Sequence, residues 1–319
     1  MSQDEARQLF LQAKKLYQDE KLDEAIDIFQ SIKREDSPET FARAQLNLAL
    51  IWRKKGELEK EIAAYQAIQR EDSPKIFAKI RFNLGVLLEK LGEHKNAISA
   101  FESIKREDSP EVFARAQVNL GVIFSKKEEY EKAIDVYQSI QRDESPEPFA
   151  RAQVNLALIW RKQGMTEKAI TAYQSIRRED SPKIFAKAQV TLSFLWEEKG
   201  QLEKAISAYE SIKREDSSEI FAIAQWNLGY LWSEQGNLKE AITAYLKIKI
   251  DDEESIYYEV TELLINYFFP KLIKNDDTEF ISPILERVNS DYRYNILNYI
   301  YESKSKSKSK SKSKSKSKS

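Results

Sequence analysis

Ser103-Ile-Lys-Arg-Glu-Asp-Ser-Pro-Glu-Val-Phe-Ala-Arg-Ala-Gln-Val-Asn-Leu-Gly-Val-Ile-Phe-Ser-Lys-Lys-Glu-Glu-Tyr-Glu-Lys-Ala-Ile-Asp-Val-Tyr-Gln138 is one unit of a pattern that fills most of this chain. Near-copies begin at Ser31, Ala67, Ser139, Ser175 and Ser211, each 36 residues after the last. A period in this range marks a solenoid, in which each unit buries its apolar face only against its neighbours. Within the unit, Ser109 reads as a helix cap, Pro110 as a first-turn residue that needs no amide hydrogen, and Glu111 as an anion at the positive end of the helix dipole. Phe113, Ala116, Leu120, Val122, Ile123 and Phe124 then recur at helical spacing, which predicts a first helix, A. Lys126-Lys127-Glu128-Glu129 forms a turn that carries glycine in five other units, at Gly56, Gly92, Gly164, Gly200 and Gly236. Tyr130, Ala133, Ile134, Tyr137 and Ile140 predict a second helix, B. Lys105-Arg106 would close one helix B with cations, and Glu107-Asp108 would open the next helix A with anions.

Composition narrows the function classes. The 319 residues are 41% apolar, enough for a continuous core, and most of the eight glycines and eight prolines sit at fixed repeat positions. The chain has no Cys and one His, His94, so thiol nucleophiles, disulfides and thiolate or multi-histidine metal sites are excluded. No cofactor is implied. The net charge of −1 hides an asymmetry, because the run from Lys304 to Ser319 alternates Lys and Ser and holds eight lysines. The remaining 43 basic residues face 52 acidic ones, a net charge of −9. An acidic body argues against nucleic acid as the main ligand, since phosphate binding needs a basic footprint. The opening residues show no basic stretch followed by an apolar one, and no window reaches 18 apolar residues, so the expectation is a cytoplasmic protein with no membrane span.

Asn119-Leu120-Gly121, Phe124, Tyr130, Ala133 and Tyr137 together resemble a tetratricopeptide (TPR) repeat. The resemblance implies an all-α fold: a right-handed α-solenoid of antiparallel helix pairs. It implies that small residues let helices A and B approach, here Gly85 with Ala97, Gly121 with Ala133, Ala157 with Ala169, Ser193 with Ala205 and Gly229 with Ala241. Ala13, Leu16, Leu22, Ala25 and Phe29 extend the pattern toward the first residue. The expected organisation is a solenoid of about seven helix pairs over 1–250, a helical cap or partner-binding segment over 251–302, and a disordered Lys-Ser tail over 303–319. The unit is two residues longer than the usual 34, and Glu61 stands where alanine is expected. A longer period is also present: Leu48–Lys54 recurs at Leu156–Lys162, and Ser73–Lys79 at Ser181–Lys187, each 108 residues on. Three units were duplicated as a block.

In proteins of this kind helix A lines the concave wall, and two of its positions face the ligand. Here these are the pairs Arg43 and Asn47, Lys79 and Asn83, Arg115 and Asn119, Arg151 and Asn155, followed by Lys187 with Thr191 and Ile223 with Asn227. A spacing of four puts each cation beside its amide on one helix face. Lys54, Lys90, Lys126 and Lys162 continue that face and give way to Glu198 and Glu234, with Trp226 and Tyr230 nearby. The expectation is an interaction scaffold, not an enzyme, that binds an extended and acidic peptide segment or protein surface in this groove. Against it stands simple surface pairing, because Glu39, Glu111 and Glu147 lie four residues before the three arginines. Alternatives of other classes are a sequestering or immunity-type partner of a single protein, and a subunit of a catalytic complex.

Past the repeats, Tyr257, Tyr258, Leu263, Leu264, Tyr267, Phe268 and Phe269 predict an apolar helix halted near Pro270. Helices around Ser282–Val288 and Asp291–Tyr301 would cap the last unit. Tyr292, Tyr294, Tyr299 and Tyr301 offer the alternative of self-association or a partner interface.

Overall fold

The computed structural model describes residues 1–274 and 279–287. The four tyrosines from Tyr292 onward, the helix expected over Asp291–Tyr301 and the Lys-Ser run lie outside the described residues. Helices come in antiparallel pairs, and no strand occurs among the described residues. They group into two compact units, Met1–Ser181 and Pro182–Ser319.

The first unit holds α1 (Gln3–Gln18) with α2 (Leu22–Ser31), α3 (Pro38–Lys55) with α4 (Leu58–Gln66) and α5 (Pro74–Lys90) with α6 (His94–Glu102). It continues with α7 (Pro110–Lys126) on α8 (Tyr130–Gln138) and α9 (Pro146–Lys162) on α10 (Thr166–Gln174). Successive A helices also touch, α3 on α5, α5 on α7 and α7 on α9. The second unit pairs α11 (Pro182–Glu198) with α12 (Leu202–Glu210) and α13 (Ser218–Glu234) with α14 (Leu238–Leu246). It then runs through α15 (Glu254–Leu263), a π-helical turn at Leu264–Phe268, α16 (Phe269–Lys274) and α17 (Ile281–Glu286).

Repetition in sequence becomes repetition in packing. Ala25, Ala97, Ala133, Ala169, Ala205 and Ala241 are fully buried. Opposite them, a β-carbon added at Gly121 would stand 2.3 Å from the ring of Tyr137, and one at Gly85 2.6 Å from Phe101. The glycine therefore makes room for the helix-B aromatic. Ser193 fills this place in α11 and donates to the carbonyl of Ala205 at 3.1 Å. Every Gly of the A–B turns, from Gly56 to Gly236, has positive φ, the left-handed conformation that ends helix A. Glu20 and Glu128 occupy the same register with φ of 60° and 62°, and both remain left-handed without glycine.

The basic-acidic junction works differently from the helix-dipole reading. Helix B stops before it, α6 at Glu102, so Lys105 and Arg106 lie in a turn, and Ile140 follows α8 rather than belonging to it. The arginine instead reaches into the following junction. Arg70 Nη1 donates to both carboxylate oxygens of Asp108 at 2.6 Å, and Nη2 donates to the Ser103 carbonyl. Its guanidinium also lies 4.9 Å over Phe77. Asp108 in turn accepts the Lys105 amide at 2.9 Å, closing its own turn. Arg34 with Asp72, Arg142 with Asp180 and Arg214 with Asp252 repeat the clamp. Lys-Arg-Glu-Asp is thus a lock between consecutive hairpins.

The junction at Arg142-Asp143-Glu144-Ser145 inverts the acidic order, and Glu144 receives Arg106 in place of an aspartate. Ser37 and Ser109 cap their helices by accepting the Thr40 and Val112 amides. Ser145 has Pro148 three residues on, which offers no amide hydrogen, and its buried hydroxyl has no partner among the described residues.

Near the other end, Pro270 does not halt the helix. The chain loosens to π-helical hydrogen bonding over Leu264–Phe268, and α16 carries Pro270 as its second residue. A widened turn accommodates a residue without an amide hydrogen. His94 is the exposed first residue of α6.

Candidate functional site

The cations singled out on helix A, Arg43, Lys79, Arg115, Arg151 and Lys187, are all exposed, and Asn47, Asn83, Asn119, Asn155 and Asn227 are half-buried on the same helices. The structure brings some of them together. Arg115, Asn119 and Arg151 line a cleft of about 680 Å³ with Phe82, Glu111, Val118, Glu144, Pro146, Glu147 and Pro148. Helices α5, α7 and α9 supply its walls, all within the first unit. Asn83 lines a second hollow of about 280 Å³ with Arg53, Glu61, Phe82, Val86 and Lys90. Asn155 lines a third, of about 300 Å³, with Val122, Ser125, Tyr130, Tyr137, Leu158 and the rim lysines Lys126 and Lys162. The apolar floor was missed in sequence. Val122 reads as core by periodicity, yet it lies three residues past Asn119 and shares its face.

Several of the residues are engaged within the protein. Arg43 pairs with Glu39 at 2.5 Å and Arg151 with Glu147 at 2.7 Å, so surface pairing holds for these two. It fails for Arg115, whose guanidinium lies 4.5 Å over the Phe82 ring on the preceding A helix. Lys79 and Lys187 make no ion pair among the described residues. Asn47 donates to the carbonyl of Arg43 at 2.8 Å. Asn83 and Asn155 favour ionisation of the Tyr65 and Tyr137 phenols of the preceding hairpin, against the larger effect of burial. Burial pushes both phenols up to about 12. Lys126 pairs with Glu89 and bridges two neighbouring A helices, while Lys54 and Lys162 reach Glu20 and Glu128 in the A–B turn of the preceding hairpin, so three of the four rim lysines are engaged between hairpins.

Glu61, in the place of an alanine, is buried and receives Arg53 through Nε at 2.8 Å and Nη2 at 2.6 Å. Arg53 also donates to the Tyr65 hydroxyl at 2.8 Å. Among the described residues no group of three or more His, Cys, Asp or Glu side chains could hold a metal ion. No helix among them is long and apolar enough to cross a membrane.

Family models described as tetratricopeptide repeat match residues 10–76, 78–108, 117–147, 151–181 and 197–255. The chain belongs to the tetratricopeptide repeat family. Among solved structures, the C-terminal part of a TPR repeat-containing protein from Cytophaga hutchinsonii is similar at 16% identity and a TM-score of 0.52. That match covers 77% of this chain and 98% of the other, and it shows a common fold. A pilF structure from Pseudomonas aeruginosa (16% identity, TM-score 0.46, covering 68% and 97%) and MamA (23%, 0.40, 51% and 91%) are also similar. No curated protein matches. Tetratricopeptide repeats are protein–protein interaction scaffolds and generally non-catalytic, which agrees with a surface built of shallow hollows.

Proposed function

We propose that the face of α5, α7 and α9 binds an extended protein segment carrying an apolar side chain next to acidic ones. The cleft between these helices carries the reading. Phe82, Val118, Pro146 and Pro148 offer it apolar walls, while Asn119 can both donate to and accept from a peptide backbone. Acidic character in the ligand is favoured by Arg115 and Lys79, exposed cations that form no ion pair among the described residues. Arg43 and Arg151 contribute less, since a ligand must compete with Glu39 and Glu147 for them. A hydrogen bond to a charged group contributes about 1.5–3 kcal/mol. Two such contacts and one buried apolar side chain, less the cost of ordering the segment, suit a micromolar dissociation constant, about −8 kcal/mol. Lys187 and Asn227 belong to the second unit and form no part of this cleft.

Labelled twelve-residue peptides test the reading: one acidic with a central Leu, one with the acids replaced by amides, and one basic. The acidic peptide is expected to bind best. Joint reversal of Arg115→Glu and Arg151→Glu should weaken it at least tenfold while the helical circular-dichroism signal holds. Equal binding of the three peptides, or capture untouched by the double reversal, would remove the proposal.

A further inference from the structure

The second unit presents a surface of opposite chemistry, in the same repeat register. Where the first unit has Lys54, Lys90, Lys126 and Lys162, the second has the exposed Glu198 and Glu234. Where the first has Leu50, Val86, Val122 and Leu158, the second has Phe194 and Tyr230, whose rings are 44% and 56% exposed. Tyr267, on the π-helical turn, is 46% exposed. Tyr267 stands edge-on to Phe268 at 5.0 Å, and Phe268 lies 5.7 Å from the buried Tyr245. Phe194 stands edge-on to the buried Tyr209, whose hydroxyl donates at 3.0 Å to Glu197, the residue before the exposed Glu198.

Elsewhere the protein covers its rings with its own lysines. Lys60 lies 4.7 Å over Trp52, Lys168 4.5 Å over Trp160, Lys204 4.4 Å over Trp196 and Lys271 3.5 Å over Tyr267. Phe194 and Tyr230 have no cation over them among the described residues. A face of exposed carboxylates beside uncovered rings fits a segment rich in ammonium groups.

The chain carries such a segment. Lys304 to Ser319 alternates Lys and Ser, so in an extended conformation all eight lysines project from one side at intervals of about 6.6 Å. The described chain ends at Arg287, whose guanidinium donates to the Ile248 carbonyl of the same unit at 2.7 Å. The roughly 17 residues from there to Lys304 span up to about 55 Å, enough to reach the face. Tethering also supplies an effective concentration on the millimolar scale. We propose that the Lys-Ser run is an intramolecular ligand of the aromatic and acidic face formed by Phe194, Glu198, Tyr230 and Glu234. The first unit remains open to partners, while the second is occupied by the chain's own basic segment. This assignment is independent of the peptide reading of the first unit.

Zero-length carbodiimide coupling of the full chain at low salt tests it. Cleavage after glutamate releases residues 303–319 as one fragment, so its attachment points can be read by mass spectrometry from the monomer band. The expected attachments are Glu198 and Glu234. Their yield should fall at least threefold in 0.5 M NaCl, and in Tyr230→Ala, which keeps both carboxylates but removes a ring. Coupling spread evenly over exposed glutamates such as Glu39 and Glu111 of the first unit would overturn the proposal. So would yields indifferent to Tyr230→Ala, and so would coupling confined to a dimer band.

Discussion

At the scale of single residues, the informative comparisons are between positions that repeat in sequence but differ in partner. Arg53 and Glu61 form a pair in which only one member can escape to water: the arginine side chain is 49% exposed and the glutamate 4%. Removing the arginine leaves a buried, unpaired carboxylate and should cost about 3–5 kcal/mol, whereas Glu61→Ala restores the family's usual residue and should cost under about 1 kcal/mol. Urea unfolding of the two variants checks the inequality; equal costs would mean that Glu61 is solvated. Ser109 and Ser145 make a second contrast. Ser109→Ala removes a working cap and should cost about 1 kcal/mol, while Ser145→Ala deletes a buried hydroxyl with nothing to bond and should be neutral or stabilising. That difference was legible in the sequence, because Pro148 alone announces the missing amide. The Arg53–Glu61 pair was legible only as an anomaly: the sequence shows a glutamate in an alanine's place, but not which cation turns toward it.

At the scale of elements, each junction is held by a contact that no local pattern announces. Helix starts were readable because Ser and Pro act on their own turn, and turns because glycine answers a local demand on φ. The Arg70–Asp108 clamp joins residues 38 apart, so local reading took both for dipole complements. Its strength should follow the burial of the acid. Asp108 is 1% exposed in its side chain and Glu144 is 29% exposed, so Arg70→Ala strands a carboxylate that Arg106→Ala leaves to water. Because repeat arrays open locally, amide exchange around residues 103–113 should accelerate strongly in Arg70→Ala, and that around 139–149 only modestly in Arg106→Ala. Similar acceleration at both junctions would refute the dependence on burial. The A–B turns offer a gain instead: Glu128→Gly relieves a left-handed glutamate and should stabilise its hairpin by about 1 kcal/mol, less the exposed ion pair with Lys162. The candidate groove was half legible for the same reason. Spacing put Arg115 and Asn119 on one face, but the pairing of Arg43 and Arg151, and the ring beneath Arg115, depend on neighbours that spacing does not identify.

At the scale of the whole molecule, both units bury tyrosines at the same repeat position, and this couples their folding to alkaline pH. Tyr65 and Tyr137 in the first unit are held up at about 12 by burial, and burial raises Tyr209 and Tyr245 in the second unit further still. An unfolded tyrosine titrates near 10. Between these values the folded chain keeps protons that the unfolded chain releases, so stability is fully present below about pH 10 and falls as pH rises through 12. Each such tyrosine removes about 1.4 kcal/mol per pH unit across that window. Thermal unfolding should therefore be nearly flat between pH 7 and 9 as far as these groups are concerned, then drop steeply. Tyrosinate absorbance should appear in two waves, exposed rings first and the buried set only with loss of helix. Tyr137→Phe removes one of these titrating groups and should flatten the descent, whatever it costs at neutral pH. An undiminished slope in that variant, or a single tyrosinate wave preceding the loss of helix, would show that these phenols do not govern the alkaline limit.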